Sequence, residues 1–152
     1  MSSLVLAEIG STPYNVMLLL HLLLVVVGFA PAWLSPVLVR LTANGDRAAG
    51  EALEVSVLRY SLGGLAAAGI LGFGLAGMSD KVFKMSQTWL SIAIVLWLAQ
   101  LAMIFFFARP AIKDFTAGDV SARARISMAT GITHLLLLAM LYLMIFKPGG
   151  PF

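Results

Sequence analysis

Four long stretches without a charged residue make up most of this chain, and they determine what it can fold into. They cover residues 9–39, 60–79, 85–108 and 126–146. Each reaches the roughly 20 residues that a helix rising about 1.5 Å per residue needs to cross an apolar layer about 30 Å thick. We therefore expect an all-α, polytopic membrane protein with four transmembrane helices in an antiparallel bundle.

The composition agrees with a membrane location. Of the 152 residues, 61% are hydrophobic and 11% are charged, which leaves too little polar surface to cover a water-soluble globule. We predict one four-helix transmembrane domain over residues 1–152, with spans at approximately 14–39, 60–78, 87–108 and 127–146. Residues 1–14 contain no Lys or Arg, unlike the start of a cleaved signal peptide, so the first helix should remain in the mature protein.

The basic residues predict the orientation of the chain. Seven of the ten Lys and Arg residues follow spans one and three. They are Arg40, Arg47, Arg59, Arg109, Lys113, Arg123 and Arg125. The positive-inside rule then predicts a multi-pass protein of the inner (plasma) membrane with both termini outside or periplasmic. Lipid headgroups account for the net charge of +3, so membrane lipids are expected partners and nucleic acid is not.

The two loops expected in the cytoplasm resemble each other. Pro36 precedes Thr-Ala-Asn-Gly-Asp at 42–46, and Pro110 precedes Thr-Ala-Gly-Asp at 116–119. One interpretation is a tandem repeat of two helical hairpins. The other is ordinary helix-cap composition, in which Asp46 caps a short interfacial helix over 46–57.

His21 and His134 are the two histidines of the chain, and both fall inside the predicted apolar layer. Ionisable groups at such depth are costly and usually face the bundle interior, which makes each histidine a candidate for function. The alternative is a neutral histidine hydrogen-bonded to the next helix. We expect an offset of about 10 Å between their depths, so a shared site would require helix tilt or kinking.

A b-type haem is the cofactor best suited to such histidines, because imidazole is a usual axial ligand. The chain has no cysteine, which excludes thiolate metal sites and covalently attached c-type haem. We therefore treat His21 and His134 as candidate metal ligands for haem b, the alternative being that no cofactor binds.

Three further polar residues are candidates for the cofactor site. Gln100 lies within span three, and its amide needs a partner, which could be His134. Span four has an expected polar face, which consists of Ser127, Thr130, Gly131 and His134. Arg59 and Arg123 lie near its expected mouth, where they could receive haem propionates. The alternative is that these arginines bind lipid phosphates.

A ladder of small residues recurs every fourth position in span two. It consists of Gly64, Ala68, Gly72 and Ala76. Small residues permit close backbone approach, either to a neighbouring helix or to a flat ring. In both cases we expect this face to be buried in protein.

Short motifs in all four spans resemble the superfamily of J-type protoporphyrinogen oxidases and copper-resistance D-type membrane proteins. They are Leu20-His21-Leu22 with Pro36 and Arg40, then Leu58-Arg59-Tyr60, Trp89-Leu90, and the closing run 142–148. The resemblance implies a four-helix bundle in which His21 handles a haem or porphyrin. The oxidases carry a lysine early in span three where this chain has Ala93, so the chain is most similar to the uncharacterised branch of predicted integral membrane proteins.

Two hypotheses follow for function. The first is a membrane protein that binds a b-type haem or porphyrin in a redox or haem-related role. The second is a cofactor-free accessory subunit that packs against a larger membrane complex or a second copy of itself. The sequence assigns no catalytic residue and leaves open whether the protein is an enzyme.

The orientation can be tested with single cysteines, because the chain has none of its own. Cysteines at positions 3 and 149, replacing Ser3 and Gly149, should react with an impermeant thiol reagent in intact cells. A cysteine replacing Thr116 should react only after the membrane is permeabilised. The reverse pattern of labelling would overturn the predicted topology.

Overall fold

The computed structural model describes residues 9–150, which fold into four long helices. They are α1 (Thr12–Ala43), α2 (Arg47–Gly77), α3 (Thr88–Thr116) and α4 (Ala122–Phe146). Each is long and apolar enough to cross a membrane, so the predicted all-α, four-span fold class is confirmed. The helix α1 packs mainly against α2, and α3 mainly against α4, which makes two hairpins side by side.

Helix α2 begins well before the apolar stretch that predicted it. The Asp46 side chain accepts a hydrogen bond from the backbone N–H of Ala49 (3.1 Å) and caps the helix at Arg47. The expected short interfacial helix is therefore the first part of a continuous helix that ends at Gly77.

The two similar loops end their helices with the same geometry. In each, a glycine in the left-handed region follows the helix, and the next aspartate donates its backbone N–H to a carbonyl five residues earlier, as in a Schellman motif. The residues are Gly45 (φ 92°) with Asp46 bonded to Leu41 (3.1 Å), and Gly118 (φ 107°) with Asp119 bonded to Asp114 (3.0 Å). We call the end of the bundle that holds these two turns the basic end.

The helices α1 and α2 approach each other closely enough for their backbones to touch. A Cβ atom added to Gly64 would lie 3.1 Å from the Cα atom of Gly28, and one added to Gly28 would lie 2.6 Å from the Leu65 side chain. Further along the same face, Ala68 is only 3% exposed. The ladder from Gly64 to Gly72 therefore contacts α1 within one chain. Its last member, Ala76, is buried in a cluster with residues of α3 and α4.

A second glycine of α2, Gly69, forms a close contact with α3. A Cβ atom on Gly69 would lie 2.1 Å from the Trp97 ring, so only glycine accommodates the indole at this distance. The indole N–H donates to the backbone carbonyl of Leu65 (2.8 Å). One turn of α2 thus contacts α1 through one face and Trp97 through another.

Three of the helices depart from regular α-helical geometry. Helix α1 contains Pro31 and Pro36, and π-helical segments occupy Ser56–Gly63 of α2 and Met103–Ala108 of α3. The second π segment ends two residues before Pro110, which has no N–H to complete an α-helical bond. Nothing in the sequence accounts for the first π segment.

The Gly28–Gly64 contact predicts that a larger side chain at Gly64 destabilises the bundle. Gly64→Leu should reduce the free energy of unfolding in detergent by about 1–3 kcal/mol, because overpacked side chains force the helices apart. Gly63→Leu is the matched control, since a Cβ atom at Gly63 meets nothing within 4 Å. Equal thermal stability of the two variants would show that the contact does not hold the helices together.

Candidate functional site

The imidazole of His21 is held against the small-residue ladder of α2. Its Nδ1 atom lies 2.8 Å from the backbone carbonyl oxygen of Ala68. A carbonyl only accepts hydrogen bonds, so Nδ1 carries the proton and donates. Gly72 leaves room for the ring, because a Cβ atom there would lie 3.4 Å from Cε1 of His21. The half-buried ring keeps Nε2 without a hydrogen-bond partner in residues 9–150.

The second histidine lies against α1. The ring of His134 packs edge-on against the ring of Trp33, with centroids 4.4 Å apart. Its Nε2 atom is buried and has no hydrogen-bond partner among the described residues.

The two histidines lie in separate parts of the bundle, so one haem bound by both, which the sequence left open, does not fit this arrangement. Trp33, which contacts His134, follows His21 by 12 residues, or about 18 Å along α1. Two axial ligands must lie on opposite sides of one iron atom, within a few ångströms of it. This separation exceeds the offset of about 10 Å expected from the sequence.

Gln100 also has a different partner from the one expected. Its Nε2 donates to the hydroxyl of Thr133 (3.1 Å) rather than to His134, the next residue on α4. Gln100 is 3% exposed, and its Oε1 atom is buried without a hydrogen-bond partner in residues 9–150. The interaction connects α3 and α4 in the bundle interior.

Buried hydroxyls from α1, α2 and α4 meet at a small cavity that the sequence did not reveal. The Ser35 hydroxyl lies 3.1 Å from that of Thr130 and donates to the Ala32 carbonyl (3.1 Å), whose α-helical partner is missing at Pro36. Ser61 and Thr133 line the same cavity. Its volume is about 30 Å³. That space accommodates about one or two water molecules.

The helix irregularities converge on this cavity. Pro31 of α1 contributes to its wall, as do residues from both π segments. The latter are Val57, Ser61, Ile104 and Ala108. Irregular helical backbone is tolerated at membrane depth where protein or water satisfies the freed polar groups, and π segments are frequent at functional sites.

The inward polar face of α4 is shifted from the one that the sequence indicated. Ser127 and Gly131 are exposed, whereas Thr130 and Thr133 point to the cavity. Because Thr130 belongs to both the expected and the observed face, helical spacing alone did not distinguish them.

The two arginines predicted to belong to the cofactor site, Arg59 and Arg123, are not seen in contact with either histidine. Arg59 and Arg123 are exposed, and neither forms an ion pair with a residue between 9 and 150. Arg59 precedes Ala68 by nine residues, about 14 Å along α2, so it lies far from His21. The structure gives no contact that would place these arginines at a site shared with the histidines.

Arg125 has a structural role at the basic end. It forms ion pairs with Asp114 (2.9 Å) and Asp119 (3.4 Å), which tie the start of α4 to the end of α3. Hydrogen bonds from the hydroxyl and amide of Ser121, together with Arg125, hold the pKa of Asp119 below its ordinary value. All three charged groups are solvent-exposed, so their interactions are weak individually.

No group of three or more His, Cys, Asp or Glu side chains within residues 9–150 could hold a metal ion. The interior cavity of about 30 Å³ is also far smaller than the roughly 300 Å³ or more of a cofactor pocket. Comparisons of the chain with protein families, curated proteins and solved structures found no match.

The Gln100–Thr133 hydrogen bond predicts that substitutions at these two positions have coupled effects on the free energy of unfolding. Thr133→Val preserves shape but leaves both ends of the buried Gln100 amide without a partner, which should cost about 1–3 kcal/mol of unfolding free energy. Adding Gln100→Leu removes the unsatisfied amide and should recover part of the loss. A double-mutant cycle by thermal unfolding in detergent measures this coupling, and additive effects would contradict it.

Proposed function

We propose that this integral membrane protein binds a b-type haem or porphyrin through His21 as its one protein ligand. The supporting observation is the hydrogen bond from Nδ1 of His21 to the Ala68 carbonyl. Such a bond fixes the ring orientation and directs the lone pair to Nε2, as in histidines that ligate metals. The free Nε2 makes His21 chemically suited to this role.

The proposed position is the surface of the α1–α2 hairpin rather than the bundle interior. The interior cavity is too small for a macrocycle, whereas the neighbours of His21 on α1 are exposed and apolar: Leu20 is 48% and Leu22 is 53% exposed. A bound haem would supply redox or small-ligand chemistry. The role of the chain would be to hold the ligand nitrogen in a fixed tautomer and to exclude water around it.

The motif resemblance supports the same residue. In the superfamily of J-type protoporphyrinogen oxidases, the histidine matching His21 handles the porphyrin. At the position of the oxidase lysine, this chain has Ala93, which is 3% exposed and packs in the core. We therefore propose binding at His21 without the oxidase reaction.

A second candidate is a cofactor-free accessory subunit that packs against a larger membrane complex. The supporting observation is the distribution of aromatic side chains, several of which point away from the bundle. They include Phe105 at 43%, Phe106 at 67% and Phe107 at 55% exposure. Such side chains contact either lipid or the helices of a partner, and aromatic residues are enriched at interfaces between proteins.

Absorption spectroscopy of the purified protein separates these functions. The wild type, reconstituted with haem, should show a Soret band that shifts on reduction, and His21→Ala should lose it. His134→Ala is the matched control and should leave the spectrum unchanged, because His134 contacts Trp33, which follows His21 by about 18 Å along α1.

Two results would overturn the haem proposal. One is full haem occupancy in His21→Ala, which would require another ligand. The other is the absence of specific haem uptake by folded wild-type protein, which would favour the accessory subunit. Co-purification of the wild type with other membrane proteins would then identify its complex.

A further inference from the structure

A second cavity lies between α2 and α3 on the side of the basic end. Its volume is about 190 Å³, and its lining combines three charged with three apolar side chains. They are Glu54, Val57 and Leu58 of α2, and Arg109, Ile112 and Lys113 of α3. We propose that this cavity binds a phospholipid headgroup, with Arg109 and Lys113 on the phosphate and Glu54 on a donor group of the same headgroup.

The two cations are available for an anion. Arg109 and Lys113 are one helical turn apart on α3, so their side chains share a face. Neither forms an ion pair with another residue in 9–150. The Arg109 guanidinium lies over the Phe105 ring, 5.3 Å from its centroid, which restricts its position while leaving its N–H groups to bond elsewhere. A guanidinium beside an ammonium is a strong donor set for phosphate oxygens.

Glu54 selects among headgroups that carry a phosphate. One oxygen of its carboxylate accepts a hydrogen bond from the Thr116 hydroxyl, and the other has no hydrogen-bond partner in the described chain. A carboxylate only accepts hydrogen bonds and repels a phosphate placed against it. A headgroup satisfies the unpartnered oxygen with a hydrogen bond only if it presents a hydroxyl or an N–H group to Glu54. Phosphatidylglycerol and phosphatidylethanolamine have such donors, whereas the trimethylammonium of phosphatidylcholine does not.

The apolar wall favours a lipid over a free phosphate ion. Val57 and Ile112 are buried at 8% and 3% exposure, and Leu58 is 39% exposed on the outer side of the cavity. An acyl chain leaving the headgroup can continue along Leu58, which a free ion does not use. Basic pockets between transmembrane helices are known to receive lipid headgroups in this way.

Native mass spectrometry of the full chain in detergent tests the proposal with three lipids of equal chain length. Phosphatidylglycerol and phosphatidylethanolamine should bind more tightly than phosphatidylcholine and should raise the unfolding temperature of the wild type. The double variant Arg109→Gln/Lys113→Gln should lower the affinity for phosphatidylglycerol about tenfold or more. The control Arg40→Gln/Arg47→Gln removes the same charge from exposed positions of the basic end that do not line the cavity, and should bind normally.

Glu54→Ala should abolish the discrimination against phosphatidylcholine. Thr116→Val, which removes the neighbouring hydroxyl but keeps the carboxylate, should retain it. Equal losses in the two double variants would mean that general charge attracts the lipid and would overturn the site. Displacement of phosphatidylglycerol by inorganic phosphate at similar concentration would assign the cavity to a free anion instead. Equal binding and stabilisation by all three lipids in the wild type would overturn the proposal without any variant.

Discussion

The contact between the backbones of α1 and α2 at Gly28 and Gly64 is the constraint on which the rest of the bundle depends. Within a bilayer no hydrophobic effect draws helices together, so close packing of small residues and hydrogen bonds between helices supply the attraction. Because the two helices touch there, the next turns of α2 lie within reach of His21. On another face, the same part of α2 accepts Trp97 against Gly69 and so positions α3. The contact at Gly28 and Gly64 thereby helps to determine the relative positions of α1, α2 and α3.

The sequence was sufficient for the number and type of the helices and for the burial of the ladder beginning at Gly64, because both depend on apolar length and side-chain size. It was insufficient for the partner of Gln100, which is Thr133 rather than the adjacent His134. Adjacent residues on a helix differ in direction by about 100°, so a small rotation of α4 decides which one faces α3. The cavity was not predictable, since it arises where residues distant in sequence fail to fill space.

The distance between the histidines divides the bundle into two chemical regions. Around His21, the polar groups are one imidazole and one carbonyl on a surface that otherwise contacts apolar surroundings. Around Thr133, hydroxyl and amide groups from all four helices come together in the interior. A function that requires a single free ligand nitrogen belongs to the first region. Water or protons that enter the bundle interior would find hydrogen-bond partners in the second.

The prolines of α1 and the π segments of α2 and α3 also affect how the bundle deforms. Each interrupts the regular ladder of backbone hydrogen bonds, and all three contribute residues to the wall of one cavity. The segment of α2 from Gly64 to Gly77 is a regular helix that packs closely against α1. Nearer the basic end, α2 and α3 contain the π segments, and the helices meet around the cavity. The bundle therefore combines a rigid part around Gly64–Gly77 with a more deformable part around the cavity. We expect a change in lateral pressure from the bilayer to deform the bundle at the cavity before it distorts the surroundings of His21.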